Sequence, residues 1–183
     1  MCATAYKLFR QKAGKLYPLY VNATQETPCG IWLDAESGER TVSGKVKSRL
    51  GDLAYRPGWH CSNLPYASHI GVKDSAGNII AQHPDTVWAE VEYATDHDYQ
   101  REANANGINP RTGRFNPRNA QLSHIPVGGY YRYKTNPRMT GTWIITGSIK
   151  VIRVLSAEEV AEICHSYGIE PQPVLTQPIL KEV

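Results

Sequence analysis

Apolar and polar residues alternate most regularly over Val87–Tyr93. Alternation with a period of two is the pattern of a β-strand that buries one of its faces. Valine, alanine and tyrosine form the apolar face, and the other face carries Trp88, Glu90 and Glu92. The pattern therefore predicts a half-buried strand that lines up two carboxylates beside a tryptophan.

Further apolar runs predict additional strands. Thr142–Leu155 has the strongest β signal, and Gly147 is expected to divide it into two strands at a bulge or tight turn. Ala5–Asn22 predicts a hairpin, and Pro18 places its second strand at a sheet edge. Asp-Ser-Ala-Gly-Asn within Val72–Ile80 predicts a third tight turn between short strands.

The clearest helix signal comes late in the chain. Ser156 and Glu159 have capping-box spacing and predict the start of a helix that ends before Gly168. Its buried stripe is expected at Val160, Ile163 and Cys164. Strands mixed with few helices predict an α+β fold, and 183 residues suit a single domain over 1–183.

Two segments are expected to be irregular. The range of about 104–138 is rich in Asn, Gly and Pro and predicts a long basic surface loop. Pro171, Pro173 and Pro178 predict an extended C-terminal tail over 169–183.

Composition narrows the class of protein. Hydrophobic residues make up 41% and charged residues 20% of the chain, as in soluble globular proteins. No apolar run is long enough for a membrane helix, and the first ten residues lack a secretory pattern, so we expect a cytoplasmic protein without a membrane partner. The four cysteines are scattered without a Cys-x-x-Cys pair, which argues against a zinc ribbon.

Charge is segregated along the chain. Asp74–Glu102 contains seven acidic residues and one basic residue, whereas Asn104–Arg138 contains six basic residues and no acidic one. Aromatic residues interleave with these cations, as is typical of surfaces that bind phosphates and stack bases. A partner could therefore bind at Arg111, Arg114, Arg118 and Arg132. Alternatively, the basic segment neutralises the acidic segment within the fold.

The stretch Leu53–Gly71 concentrates side chains that could carry chemistry. It contains Arg56, Trp59, His60, Ser62, Asn63, Tyr66 and His69. Pro57 and Gly58 predict a sharp turn before a short strand, and Ser62 or Asn63 could then cap a short helix. Such a segment is expected at the lip of a pocket.

Three patches resemble the ADP-ribosyltransferase superfamily. Gly58-Trp59-His60-Cys61-Ser62-Asn63, followed by Tyr66-Ala67-Ser68-His69, is similar to the family's middle motif beside the nicotinamide pocket. Thr142-Trp143-Ile144-Ile145 and Ile149–Leu155 are similar to its closing strands. Tyr6-Lys7-Leu8-Phe9-Arg10 is similar to the first strand of its arginine-containing branch. The motifs occur in the family's order.

The resemblance implies a split β-sandwich of two small, mostly antiparallel sheets with short helices, and NAD as the substrate. It places Arg10 on the NAD phosphates. Trp59 and Tyr66 would pack against the nicotinamide, while His60 and Ser62 would hold its ribose. ADP-ribose would pass to a protein or nucleic-acid acceptor, or to water.

The catalytic acid is where the chain departs from the family. Thr142 stands at the position where the first closing strand of the family begins with a catalytic glutamate. Glu90 and Glu92 resemble the Glu-x-Glu motif of the arginine branch. On that alignment Glu92 polarises the ribose and Glu90 orients the acceptor.

Other interpretations of these residues remain open. Glu90 and Glu92 could form a solvated strand face, and His60 could be a buried histidine with a backbone partner. His60, Cys61 and His69 have no standard metal-site spacing, so no metal is expected. In the alternative hypothesis the chain is a non-catalytic binding module, of the kind that phages and mobile elements encode, which grips nucleic acid or a host protein through segment 111–138.

Overall fold

The computed structural model describes residues 1–175. Its strands are β1 (Cys2–Lys12), β2 (Lys15–Tyr17), β3 (Trp32–Asp34), β4 (Trp59–Ser62), β5 (Val72–Lys73), β6 (Ile79–Ala81), β7 (Thr86–Ala94), β8 (His97–Asp98), β9 (Gly129–Tyr133), β10 (Trp143–Thr146) and β11 (Ser148–Val154). The helices are α1 (Gln100–Asn106), α2 (Ala157–Ser166) and a 3₁₀ helix, Pro117–Asn119.

Nine strands form one large sheet in the order β3-β11-β7-β1-β4-β10-β9-β8, with β2 paired to the end of β1. β8 and β9 are parallel, and the other neighbours are antiparallel. β5 and β6 form a separate antiparallel pair. The predicted α+β class is confirmed. The expectation of two small sheets is corrected to one large mixed sheet and one small sheet.

The large sheet nevertheless has two halves. β1 pairs with β7 at nine positions, but it pairs with β4 only at Tyr6 and Ser62. Side chains from both halves pack together in one buried cluster. Its members include Phe9, Val91, Cys61 and Ile144. The halves are therefore joined weakly by backbone hydrogen bonds and strongly by a shared core.

The chain passes from one half to the other at Gly147. β10 pairs with β4 and β9, whereas β11 pairs with β7 and β3. A Cβ atom at Gly147 would lie 2.3 Å from the carbonyl oxygen of Pro126, so only glycine fits this close approach. The predicted division of Thr142–Leu155 into two strands is confirmed, and it is a change of sheet half.

Helix α2 covers the outer side of the sheet. Ser156 and Glu159 form the predicted capping box, and Cys164 is fully buried. Val160 and Ile163 pack on a second core cluster with Trp88 of β7. The alternation predicted for Val87–Tyr93 is confirmed at Ala89, Val91 and Tyr93, which are buried, and at Glu90 and Glu92, which are partly exposed. Trp88 departs from it, because it lies on the face of the glutamates and is buried too.

A gap opens in the sheet beside the middle of β1. On this edge β4 pairs with Tyr6, and β2 pairs with Arg10, Gln11 and Lys12. Among the described strands, none pairs with Lys7–Phe9 on the same edge. The two strands have diverged there, and a cleft forms between β1 and β4.

Some local predictions are corrected. The short helix predicted directly after β4 is not formed. Asn63 Oδ1 accepts a hydrogen bond from the backbone N–H of Thr142 at 2.6 Å instead of capping a helix. β9 and the 3₁₀ helix lie inside the range predicted as a long loop. The tail is extended as far as it is described, where Gln82 N–H donates to the Pro173 carbonyl at 2.8 Å. The rest of the tail, 176–183, lies outside the described residues.

Within residues 1–175, no helix is both long and apolar enough to cross a membrane. The same range holds no group of three His, Cys, Asp or Glu side chains placed to bind a metal ion.

Candidate ligand-binding cleft

The cleft between β1 and β4 has a volume of about 480 Å³, which falls in the range of small-molecule sites. Its walls come from β1, β4, β10 and the loops that follow β2 and β3. The lining is mainly apolar and aromatic. Its aromatic and basic members are Lys7, Tyr20, Tyr55, Arg56, Trp59, His60, His69, Tyr133 and Trp143.

Lys7 is the buried cation of the cleft. Its side chain is 8% exposed, and its ammonium group donates to the His60 carbonyl at 2.9 Å. The nitrogen also lies 5.3 Å from the ring centres of both Phe9 and Trp59. Burial lowers the pKa of Lys7, and no carboxylate within residues 1–175 forms a salt bridge with it. The ammonium group of Lys7 is therefore a buried charge beside the cleft that lowers the stability of the folded protein.

His60 is delivered to the cleft by the predicted turn. Gly58 has φ +129°, and the next residues enter β4. The carbonyl of Gly58 accepts a hydrogen bond from His60 Nδ1 at 3.2 Å, which leaves Nε2 as an acceptor in the neutral ring. Burial, reinforced by the charge of Lys7, lowers the pKa of His60 to about 3. His60 is therefore a neutral hydrogen-bonding group at pH 7.

Arg56 supplies a second cation at the cleft. Its Nε donates to Gln121 Oε1 at 2.6 Å, and its guanidinium group lies 4.9 Å from the ring centre of Tyr133. Those contacts hold the group in place without neutralising it. Glu36, which is exposed, is the one carboxylate among the described residues that line the cleft.

Of two residues that the family resemblance places on NAD, Trp59 lies in the cleft and Arg10 does not. Trp59 lines the cleft, and its Nε1 donates to the Leu33 carbonyl at 3.0 Å. Arg10 instead lines a neighbouring groove, where it donates to the Ala23 carbonyl and lies 6.0 Å from the ring centre of Tyr17. The structure therefore brings Trp59 and His60 together in the cleft and leaves Arg10 outside its lining.

Glu90 and Glu92 lie on the outer part of β7 and do not line the cleft. Glu92 pairs with Lys150 at 2.6 Å. Glu90 pairs with Arg153 at 3.0 Å, and Arg153 also contacts Glu159 of α2. Each carboxylate thus has a cation from β11 as its partner.

Three other sequence-predicted residues have local structural contacts. Ser62 is buried, and its hydroxyl accepts from the Leu64 N–H at 3.3 Å. The backbone N–H of Thr142 donates to Asn63 Oδ1, and the carbonyl of Thr142 accepts from the backbone N–H of Asn63. Tyr66 is half-buried outside the cleft lining. None of these three is among the cleft residues.

Sequence reasoning missed Lys7 and Trp143. A signal for Lys7 was present, because Ala5, Lys7 and Phe9 occupy the same face of one strand. A lysine at an inward position of a buried strand is unusual. Trp143 gave no such signal, because a tryptophan in a strong β run indicates the core. It meets His60 edge to face at 6.4 Å and His69 at 5.5 Å between ring centres.

The first part of the basic segment forms an exposed turn. Ile108 and Phe115 pair across it, and Asn109 Oδ1 accepts from the N–H of Arg111 at 2.9 Å. We name Ile108–Phe115 the arginine turn. Its arginines, and Arg118 after it, are exposed and form no salt bridge with another described residue, whereas Arg132 pairs with Asp98 at 3.6 Å. Neutralisation between the acidic and basic segments is thus limited among the described residues to this pair and the Glu102–His124 contact.

Comparison with known proteins finds no matching family model, no matching curated protein and no matching solved structure.

Proposed function

We propose that the cleft binds NAD and that the chain acts as an ADP-ribosyltransferase-like protein. The observation that carries this proposal is Lys7, a buried ammonium group beside an aromatic cleft with no described carboxylate partner. A buried charge is stable only when it is paired and hydrogen-bonded. A ligand that brings an anionic group to Lys7 supplies that pairing.

The other residues of the cleft favour a nucleotide among anionic ligands. Trp143 and Tyr133 offer aromatic surface against which a base or nicotinamide ring can pack. Neutral His60 offers a hydrogen-bond acceptor suited to a ribose hydroxyl. Arg56 offers a second cation for a pyrophosphate. NAD combines these features, since it contains two aromatic bases, two riboses and a pyrophosphate.

In the proposed reaction the glycosidic bond between nicotinamide and ribose breaks. Nicotinamide leaves with the bonding electron pair, an acceptor nucleophile bonds to the ribose carbon, and the acceptor's proton is released. A carboxylate that polarises the ribose would stabilise the oxocarbenium-like transition state. Glu92 is the acid that the family resemblance implies, and Glu36 is the carboxylate on the cleft lining. Nicotinamide release by Glu36→Gln and Glu92→Gln variants assigns the role between them.

The first experiment is a thermal-shift titration with NAD, ADP-ribose and nicotinamide. A ligand at about one hundred times its dissociation constant stabilises a protein by about 2.7 kcal/mol. We expect NAD and ADP-ribose to raise the unfolding midpoint of the native protein, because both carry the pyrophosphate. The midpoint of Lys7→Met should not respond to ADP-ribose.

Lys150→Met is the matched control. It also replaces a lysine of the large sheet, but its partner is Glu92 outside the cleft. This variant should keep the response to ADP-ribose. A flat response of the native protein to all three ligands contradicts the proposal, and so does a full response in Lys7→Met.

The arginine turn favours a second candidate, a non-catalytic module that binds nucleic acid or a host protein. Phe115 is 53% exposed between arginines that have no described acidic partner. Replacing Arg111, Arg114 and Arg118 by alanine should then weaken nucleic-acid binding. The slope of log affinity against log salt should flatten by about 0.7 to 0.9 for each phosphate that the variant no longer neutralises. Unchanged binding at low salt contradicts this candidate.

A further inference from the structure

A second concave site lies next to the cleft. This groove has a volume of about 650 Å³ and shares Tyr20 and Asn22 with the cleft lining. It runs along the end of β1, β2 and the loops that follow, and we name it the basic groove. Its charged and aromatic lining consists of Arg10, Lys12, Lys15, Tyr17, Tyr20, Lys47 and Arg49.

The basic groove has five cations and no carboxylate in its described lining. Two of the cations are already neutralised, since Lys15 pairs with Glu26 at 2.7 Å and Lys47 pairs with Glu39. The remaining three, Arg10, Lys12 and Arg49, form no salt bridge within residues 1–175. Charge complementarity therefore calls for a ligand with several negative charges.

Arg10 gives an independent indication of a missing partner. Its Nε is buried and has no hydrogen-bond acceptor among the described residues. Its guanidinium group also faces the ring of Tyr17 at 6.0 Å. A buried donor without an acceptor costs stability, and a phosphate oxygen is an acceptor that suits a guanidinium group.

We propose that the basic groove binds single-stranded nucleic acid and presents it to the cleft as the acceptor of ADP-ribose. Positive charge along a groove with aromatic surface is the pattern that tracks a sugar-phosphate backbone and stacks unpaired bases. Tyr17 and Tyr20 provide that surface. Because Tyr20 and Asn22 line both sites, a strand bound in the groove would lie next to the cleft.

The acceptor role rests on the proposed function, whereas strand binding does not. The test measures fluorescence anisotropy of a labelled deoxythymidine strand of about twelve residues. The double variant Lys12→Gln, Arg49→Gln removes two exposed cations of the groove. The double variant Lys73→Gln, Arg101→Gln makes the same change of charge at two exposed cations outside the basic groove, the cleft and the arginine turn, and it serves as the control.

We expect the groove variant to bind the strand about tenfold or more weakly at low salt. Its slope of log affinity against log salt should fall by about 1.4, since each phosphate contact with a single strand contributes about 0.7. The control should bind like the native protein. Native affinity in the groove variant overturns the proposal, as does an equal loss in both variants, which would indicate a diffuse charge effect.

A polyglutamate peptide tests the class of ligand. If it displaces the labelled strand as well as an unlabelled strand does, the groove recognises charge alone and the assignment to nucleic acid is overturned. The thermal shift with ADP-ribose separates the two proposals. The groove variant should keep that shift, so a loss of strand binding with the shift intact concerns the groove and leaves the cleft unaffected.

Discussion

The charged side chains of the outer face of β7 have partners of opposite charge, whereas the buried cation of the cleft has none among the described residues. On β7, Glu92 pairs with Lys150 at 2.6 Å and Glu90 pairs with Arg153 at 3.0 Å. In the cleft, buried Lys7 has a carbonyl and two aromatic rings as its neighbours, without a described carboxylate. The first region pairs its charges within the chain, and the second holds a buried ammonium group without a described carboxylate partner.

The difference shows why titratable residues in a sequence pattern do not by themselves identify a site. Glu-x-Glu on an alternating strand marks a conspicuous pair of acids, but its partners are two cations from β11, which comes much later in the chain. Lys7 is one basic residue in an apolar strand and becomes significant only because β4 diverges from β1 beside it. Pairing and burial, which depend on distant parts of the chain, separate the two cases.

The largest predicted effect is an acid destabilisation that originates in the cleft. The pKa of His60 falls from its ordinary value of 6.5 to about 3 in the folded protein. Between these values the unfolded state binds the proton and the folded state does not, so stability is lost as pH falls from about 6.5 towards 3. The full loss from this group is roughly 5 kcal/mol, at about 1.4 kcal/mol for each pH unit.

Denaturant unfolding at pH 7, 5 and 4 measures this effect. His60→Gln should be the less stable protein at pH 7, where its site is imperfectly filled, and should lose less stability than the native protein on acidification. The titration of all other groups is common to both proteins and cancels in the difference. Parallel loss in the two proteins would show that His60 can be protonated without cost in the folded state.

The next largest effect is on the unfolding free energy, which should change in opposite directions when two different lysines are replaced by methionine. Lys7→Met removes a buried charge and should stabilise the ligand-free protein by about 1 to 2 kcal/mol at pH 7, because a well-packed apolar chain replaces a costly ion. Lys150→Met removes a partly exposed ion pair with Glu92 and should destabilise it by about 0.5 to 1 kcal/mol. Unfolding free energies of both variants measure the contrast.

The dependence on pH sharpens the same contrast. Burial lowers the pKa of Lys7 below 10.5, so the charge destabilises the folded protein at pH values below the lowered pKa. The advantage of Lys7→Met should therefore shrink as pH rises from the lowered pKa through 10.5, because the lysine is neutral in both states only above 10.5. A destabilised Lys7→Met at pH 7 would mean that the ammonium group is already satisfied without a ligand.

Local features of the fold were predictable from the sequence, and long-range features were not. Alternation over Val87–Tyr93, the capping box at Ser156 and the break at Gly147 depend on neighbours within a few residues, and the structure confirms them. The divergence of β4 from β1 and the parallel pairing of β8 with β9 depend on contacts between distant segments. The cleft is formed by the first of these, so its position could not be read from any single motif.

The candidate site, too, was predictable only in its local features. The stretch Leu53–Gly71 was expected at the lip of a pocket, and Trp59, His60 and His69 line the cleft together with Arg56. Ser62 and Asn63 instead hold a local turn and Thr142, because their hydrogen bonds go to neighbouring backbone. The sequence shows which side chains are near one another along the chain. It does not show which of their polar groups already form hydrogen bonds within the fold.

The smallest expected effects come from the two glutamates, and they separate a structural from a functional role. Glu92→Gln keeps the shape of the side chain and removes its charge, so the ion pair with Lys150 is broken. Because both partners are partly exposed, the unfolding free energy should fall by less than about 1 kcal/mol. The thermal shift with ADP-ribose should be unchanged, since Glu92 does not line the cleft.

Glu90→Gln is the matched control on the same strand face, with Arg153 in place of Lys150. Equal, small losses of stability in both variants, with intact ligand shifts and undiminished nicotinamide release, would make the pairs structural supports of the sheet. A loss of the ligand shift in Glu92→Gln alone would instead place its carboxylate within reach of the bound nucleotide. The outer face of β7 would then take part in ligand binding, and its ion pairs could no longer be contrasted with the unpaired charge of the cleft.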